Sequence, residues 1–242
     1  MQIYGIHPVL EALRAGRVTN LRVGERGSER LREIVRLASE CGVAVQRIDS
    51  RMLDREARGG AHQGVIADVR TIPSYSVADL VRQASGTPLI VVLDSIEDPQ
   101  NVGAILRTAD AAGADGLVRQ SRRAARLEGA AAKASAGALA HVKIADVVNI
   151  ARAIEELKEL GVWSVGLAGD APRRYDQMDF TAPTALVLGA EGTGLRRLVR
   201  VRCDWLASIP MHGHVQSLNV SVAAGIALYE VVRQRLMRAG SL

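Results

Sequence analysis

The stretch that decides the fold is Leu89 to Gly113, LIVVLDSIEDPQNVGAILRTADAAG. Its first six residues, Leu89-Ile90-Val91-Val92-Leu93-Asp94, are an apolar run that ends in an acid. A short, continuously apolar run bounded by polar residues is the pattern of a strand buried on both faces, as in parallel sheets covered by helices. Pro99-Gln100-Asn101-Val102-Gly103 then opens a helical pattern that reaches Gly113, with Val102, Ile105, Leu106 and Ala109 on one arc. The design recurs. Ala185-Leu186-Val187-Leu188 is followed by Gly189-Ala190-Glu191-Gly192-Thr193-Gly194 and a helix beginning near Leu195. Near the end, a short apolar strand breaks at Ile209-Pro210. A polar turn follows, and Ser217-Leu218-Asn219-Val220-Ser221 leads into a helix over 220–237. Alternating strands and helices from Pro88 onward define the α/β class with a parallel sheet. Such sheets place ligands outside the carboxyl ends of their strands, so the three loops are expected to converge on one polar site.

Upstream, residues 1–70 read as a separate small α/β unit. His7-Pro8-Val9-Leu10-Glu11-Ala12-Leu13 opens a helix with Pro in its first turn, where the missing N–H does no harm. Leu21-Arg22-Val23, Val43-Ala44-Val45 and residues 64–69 read as strands, and residues 31–38 as a helix with one buried face. Residues 71–87, rich in Pro, Ser and Gly, read as a linker with a short helical stretch at 77–83, leaving 88–242 as the second domain. The Ala-rich residues 129–140 read as helix.

Composition narrows the function classes. Hydrophobic content is 48%, yet no stretch approaches the ~20 apolar residues of a membrane span. The start lacks the charged head and apolar core of a signal peptide. Two cysteines, Cys41 and Cys203, without a CxxC, point to a reducing, cytoplasmic setting rather than a disulfide framework. The net charge is +5, and 28 of the 31 basic residues are Arg, whose planar fork suits phosphate oxygens. With one Phe and 3% aromatics, a base-stacking sheet is not expected. RNA recognition here would rest on phosphate, ribose and shape. His212-Gly213-His214 lacks a third ligand at suitable spacing, so no metal is expected.

The segments DPQNVGAILRTADAAGA, LVLGAEGTGL and IPMHGHVQSLNVSVAAGIALYE resemble, in order and spacing, the three motifs of the SpoU (TrmH-type) RNA ribose 2′-O-methyltransferases. YGIHPVLEAL and HQGVIADV resemble the N-terminal extension of the RlmB-like branch, which methylates a guanosine ribose in large-subunit (23S) ribosomal RNA. The resemblance spans nearly the whole chain. Gln216 stands where many members carry Glu. A tRNA guanosine methylase is the nearest rival among enzymes, and a non-catalytic RNA-binding or ribosome-assembly protein the rival outside them. The resemblance implies S-adenosylmethionine as cofactor, a small RNA-binding first domain, a C-terminal trefoil knot forming the cofactor pocket, and a homodimer with the active site near the interface. Charge in residues 1–70, 12 Arg against 9 acids, permits RNA binding without demanding it.

Ribose methylation needs a methyl donor, an activated hydroxyl and in-line geometry. Leu188, Gly189, Glu191, Gly192, Ile209, Met211, Ser217 and Leu218 are the expected cofactor contacts, through backbone groups and apolar walls. Arg107, Asn101, Glu191, Ser217 and Asn219 are the expected catalytic set. Asn101 is also expected to cap its helix. Arg107 lies six residues beyond Asn101, about 9 Å along a helix, and leans back toward the cleft. In the family the matching Arg is assigned to hydroxyl activation. A guanidinium does not deprotonate in proteins, so an electrostatic role on phosphate and forming alkoxide is the better physical reading. Glu191 is expected to orient Arg107 or to cap the next helix, and Asn219 to lock its loop through backbone hydrogen bonds. The densest basic run, with Arg119, Arg122, Arg123 and Arg126, follows a strand end at Leu117-Val118 and is expected to contact RNA phosphates.

Overall fold

The computed structural model describes residues 2–14, 16–25, 28–57, 60–69, 75–122, 124–125, 127 and 130–240, apart from the side chains of Ala132 and Ala140. The chain forms two compact units, Met1–Ile72 and Pro73–Leu242.

The first unit runs β1 (Gln2–Tyr4), α1 (Ile6–Arg14), β2 (Val18–Gly24), α2 (Glu29–Glu40), β3 (Ala44–Ile48), α3 (Ser50–Glu56) and β4 (Val65–Val69). Its sheet has the order β1-β4-β2-β3, with β2 and β3 parallel and the other pairs antiparallel. The two-residue period of a strand divides β4 between two cores. Val65 and Ala67 join Val9, Leu13, Leu21 and Ile34 under α1 and α2, while Ile66 packs with Ile48 and Leu53 on the α3 side. Neither β1 nor α3 stood out from the sequence. The one strand has three residues, and the other element buries only Leu53, which leaves no apolar period to read.

The second unit runs α4 (Val77–Arg82), β5 (Leu89–Asp94), α5 (Pro99–Ala111), β6 (Gly116–Gln120), α6 (Ala130–Ala134), β7 (Ile144–Val147), α7 (Ile150–Glu159), β8 (Trp163–Leu167), β9 (Thr184–Gly189), α8 (Arg197–Arg202), β10 (Trp205–Ala207) and α9 (Val220–Arg238). Its sheet has the order β10-β8-β9-β5-β6-β7, and every pairing is parallel. All six residues of β5 are buried. Leu89, Val91 and Leu93 face the core shared with α5 and α9, and Ile90 and Val92 face the one shared with α4 and α7. From β5 the chain moves outward to β6 and β7, then crosses to β8 and slots β9 in beside β5. The order reverses between β5 and β9, and that switch point is where a ligand crevice belongs.

Within the expected linker, residues 70–74 lie outside the described part. Residues 77–82 form α4, held by a Ser76–Asp79 capping box, and bury Val77 and Leu80 in the second unit's core. The expected helix over 129–140 is shorter. It is broken where Ala136 and Gly137 take φ of 49° and 96°, after which Ala138–Ala140 is a 3-10 turn. The expected strand at Ile209 lies instead at Trp205–Ala207. Ser208 leaves the sheet to bridge Arg174, and Pro210 has no N–H for a ladder.

Candidate active site

Three strand-end loops meet through one chain of side-chain hydrogen bonds. Asn101 is the third residue of α5. The cap of α5 is Asp98, whose side chain accepts from Gln100 N at 2.9 Å, so the expectation that Asn101 caps this helix is corrected. Asn101 is 7% exposed, and its amide is used in both directions. Its Nδ2 donates to Glu191 Oε2 at 3.3 Å, and its Oδ1 accepts from Asn219 Nδ2 at 2.9 Å. A carboxylate on one side and an amide donor on the other leave a single sensible orientation for that amide. Asn219 in turn caps α9, its Oδ1 accepting from Ser221 N at 2.9 Å and from Ser221 Oγ at 2.6 Å. Residues from the loops after β5 and β9 and from the entry to α9 are thereby joined, 90 and 118 residues apart in sequence.

Glu191 neither contacts Arg107 nor caps α8, which starts at Arg197 with Arg196 in the cap position; its recorded partner is Asn101. The glycine-rich loop closes on itself. Ala190 N donates to Gly194 O at 3.1 Å and Gly194 N to Ala190 O at 2.8 Å, with Gly192 and Gly194 at φ of 81° and 67°. A Cβ on Gly189 would overlap the backbone of Gly194 and Leu195. Only glycine allows this loop to fold back over the end of β9.

Leu188 is buried beside this loop, and Ile209, Met211 and Leu218 are half-buried. Ser217 is exposed. Among the described residues, 209–218 make no hydrogen bond to the rest of the chain. A segment with free main-chain donors and acceptors, lined by half-buried apolar side chains, fits a ligand part polar and part aromatic, such as a nucleoside.

Arg107 is exposed on α5 and, among the described residues, has no hydrogen-bonding or ionic partner. The structure therefore does not join it to the Glu191–Asn101–Asn219 chain, although Val102, Ile105, Leu106 and Ala109 form the expected buried arc. Arg119 is committed within the protein. Its Nε donates to Asp146 at 2.8 Å and its Nη1 to Ala125 O at 2.6 Å, so its guanidinium ties β6 to β7 and to its own loop rather than facing RNA. Arg122 is exposed, and Arg123 and Arg126 lie outside the described residues. His212 and His214 are exposed, and among the described residues no group of three or more His, Cys, Asp or Glu side chains is placed to hold a metal ion.

Two further residues emerge at the same strand ends. Asp94, fully buried, accepts from Arg196 N at 2.8 Å and from Arg196 Nε at 2.6 Å. The signal for it lay in the sequence: an acid closing an otherwise apolar buried strand needs a partner. Close by, burial, helped by the charges of Asp204 and Asp94, pushes the Cys203 thiol up to about 12. Cys203 is therefore not a nucleophile at neutral pH.

Fold and junction together define an α/β protein whose second unit has an all-parallel sheet, with the Glu191–Asn101–Asn219 junction at its switch point. Residues 88–229 match the SpoU rRNA Methylase family, and residues 2–75 match the family described as RNA 2′-O ribose methyltransferase substrate binding. The chain is 43% identical over 240 residues to the 23S rRNA (guanosine-2′-O-)-methyltransferase RlmB of Pseudomonas syringae pv. tomato, covering 97% of this chain and 96% of that protein. It is 43% identical over 242 residues to RlmB of Yersinia pestis, covering 98% of each. Among solved structures it resembles the SpoU methyltransferase AviRb from Streptomyces viridochromogenes in complex with the cofactor AdoMet, with a TM-score of 0.67 and 28% identity over 98% of this chain and 91% of that one. An AdoMet-bound rRNA methyltransferase from Sinorhizobium meliloti gives a TM-score of 0.65 and 26% identity over 96% and 86%. The chain belongs to the SpoU rRNA methylase family.

Proposed function

We propose that this protein transfers the methyl group of S-adenosylmethionine to the ribose 2′-hydroxyl of a guanosine in 23S ribosomal RNA. The observation that carries the reading is the junction of Glu191, Asn101 and Asn219 at the sheet's switch point, in a chain that matches guanosine-2′-O-methyltransferases along nearly its whole length. The cofactor reading is supported by the two AdoMet-bound neighbours and by the main chain of 209–218, which among the described residues makes no hydrogen bond to the rest of the chain.

Leu188, Gly189, Glu191, Gly192, Ile209, Met211, Ser217 and Leu218 are the residues that would hold S-adenosylmethionine. Bound there, it supplies an electrophilic methyl on a sulfonium. The chain's own part is orientation and charge. Asn101, clamped between Glu191 and Asn219, fixes the floor of the site, and Ser217 offers a free hydroxyl to ribose or to the cofactor's carboxylate. Arg107, without a partner among the described residues, is available to a substrate phosphate and to the oxygen that gains negative charge as the hydroxyl gives its proton to solvent. Arg122, together with Arg123 and Arg126 of the basic run, would meet RNA phosphates.

In this reading residues 1–70 bind the RNA substrate and the second unit, which includes α4 from the expected linker, catalyses. The protein works in the cytoplasm as a homodimer with a knotted C-terminus. Val222, Tyr229 and Leu236, 40–53% exposed at seven-residue intervals on α9, support a helix face that a second copy covers. The fold-back of the loop over Gly189 and its tie to Asn219 through Asn101 suit the knotted path.

Labelled S-adenosylmethionine offered with ribosomal RNA and, separately, with tRNA tests the function, the product nucleoside being read by mass spectrometry. 2′-O-methylguanosine in ribosomal RNA alone is the expected result. Label in tRNA alone would move the protein to the tRNA-modifying class, and failure to bind S-adenosylmethionine would make it a non-catalytic RNA-binding protein. Arg107→Ala should lose methyl transfer while retaining RNA binding, and undiminished turnover would remove Arg107 from the mechanism.

A further inference from the structure

We infer that Asp94 is a positioning residue for the cofactor loop. The buried Asp94–Arg196 clamp holds residues 189–195 in the form that binds S-adenosylmethionine. This inference rests on the reading of that loop as part of the cofactor pocket.

Asp94 is the last residue of β5, and its main chain lies in register with Gly189, the last residue of β9. Following the alternation of the strand, its side chain shares the phase of Ile90 and Val92, toward the face where α7 packs on α8. There both carboxylate oxygens are engaged by one residue, 102 positions away: Oδ2 by the Arg196 main-chain N–H and Oδ1 by its guanidinium Nε. A fully buried carboxylate is costly unless paired and hydrogen-bonded, so this pairing is strongly specified. The hydroxyl of Ser95, a residue with a left-handed φ of 61°, lies 3.4 Å from Asp94 Oδ1 and 3.3 Å from Gln120 Oε1, which ties the turn after β5 to the end of β6.

The consequence follows from chain connectivity. The glycine-rich loop leaves the sheet at Gly189 and reaches α8 at Arg196. Its first end is fixed by the β5–β9 ladder and its second by Asp94. Between them stand Gly192 and Gly194, both at positive φ, where the Ala190–Gly194 hydrogen-bond pair is what stiffens the loop locally and leaves its position over the strand end to the two anchors. Pinning Arg196 beside the strand end keeps the backbone of Gly194 and Leu195 over Gly189 and holds Glu191 within reach of Asn101. Without the clamp the loop keeps its β9 end, its Ala190–Gly194 hydrogen-bond pair and the Glu191–Asn101 contact, but its far end at Arg196 is released, and the bound form becomes one of several.

The test uses the full chain. Asp94→Asn keeps an acceptor for the Arg196 N–H and loses the ion pair; Asp94→Ala loses both; Arg196→Lys keeps the charge and the main-chain contact but not the fork. Lys158→Ala, which breaks the Lys158–Asp204 ion pair just past the other end of α8, is the control for general loss of stability. Titration calorimetry with S-adenosylmethionine should show Kd weakened about tenfold for Asp94→Asn, the factor for a loop in its binding form one-tenth of the time. Asp94→Ala should be weaker still and Arg196→Lys intermediate, with RNA affinity unmoved and amide hydrogen exchange faster in 189–196 only. Kd equal to wild type in the folded variants, or an equal loss in Lys158→Ala, overturns the inference. If Asp94 variants do not fold, Arg196→Lys alone decides by the same two readouts. Wild-type protein that does not bind S-adenosylmethionine would instead sink the proposed function itself.

Discussion

Asn101 holds together groups from three loops with one amide, and that makes it the most sensitive side chain in the site. Asn101→Ala would leave Asn219 Nδ2 and Glu191 Oε2 without their partner. Both of those side chains are exposed and can turn to water, so the expected loss in urea unfolding is that of ordinary hydrogen bonds, about 0.5–1.5 kcal/mol. At the residue scale the sequence revealed identity better than employment. Asn101, Glu191 and Asn219 were all picked out, but their mutual contacts span 90 and 118 residues and no local pattern encodes them. Arg119 was read as a phosphate ligand because it opens a basic run, yet Asp146, 27 residues on, occupies its guanidinium. Cysteine chemistry gives a second check at this scale. Cys203, pushed up to about 12 by burial and two nearby carboxylates, should resist a disulfide exchange reagent at pH 8, while exposed Cys41 reacts. Peptide mapping after labelling of the native protein reads the outcome, and modification of Cys203 at a rate matching Cys41 would contradict the packing.

Among the elements, α9 does two jobs, since its start carries Asn219 and its end locks the sheet. Arg235 donates to four main-chain carbonyls, Thr87, Pro88, Phe180 and Ala182, which stitches the chain ahead of β5 to the chain ahead of β9. Arg235→Met should lower stability by about 2–4 kcal/mol, since hydrogen bonds to charged groups are strong and three of the four carbonyls left behind, those of Pro88, Phe180 and Ala182, are part-buried. One turn earlier, Glu230 is 8% exposed and is gripped by the Arg233 fork and by Gln234. Hydrogen bonding to Arg233 holds its carboxyl below the ordinary value of 4.5, against the opposing effect of burial. A depressed folded-state pKa contributes stability that is present above 4.5 and fades as pH falls below it through the folded value. The melting-temperature gap between wild type and Glu230→Gln should therefore be constant from pH 6 to 8 and narrow in acid. Elements with a strong period, β5, α5, β9 and α9, could be read directly. Those shaped by a neighbour could not: β10 ends where Ser208 turns to Arg174, and α6 approaches α5 at Gly103, where a Cβ would stand 2.5 Å from that of Ala134.

For the whole molecule, the described residues of each unit enclose cores of their own. Residues 75–242 alone should fold and bind S-adenosylmethionine with the affinity of the full chain, yet methylate ribosomal RNA poorly; full activity of that fragment would remove residues 1–70 from substrate recognition. The order of strands has a consequence in time. Each residue of β5 waits for a partner on β9 some 95 positions later, Leu89 for Thr184 and Asp94 for Gly189. At ribosomal speeds of about 5–20 residues per second, that edge of β5 stays unpaired for roughly 5–20 s after it is made. A nascent chain with LIVVL exposed for so long is a natural client for a holding chaperone, and synthesis without one should show aggregation that begins before the C-terminal third is translated.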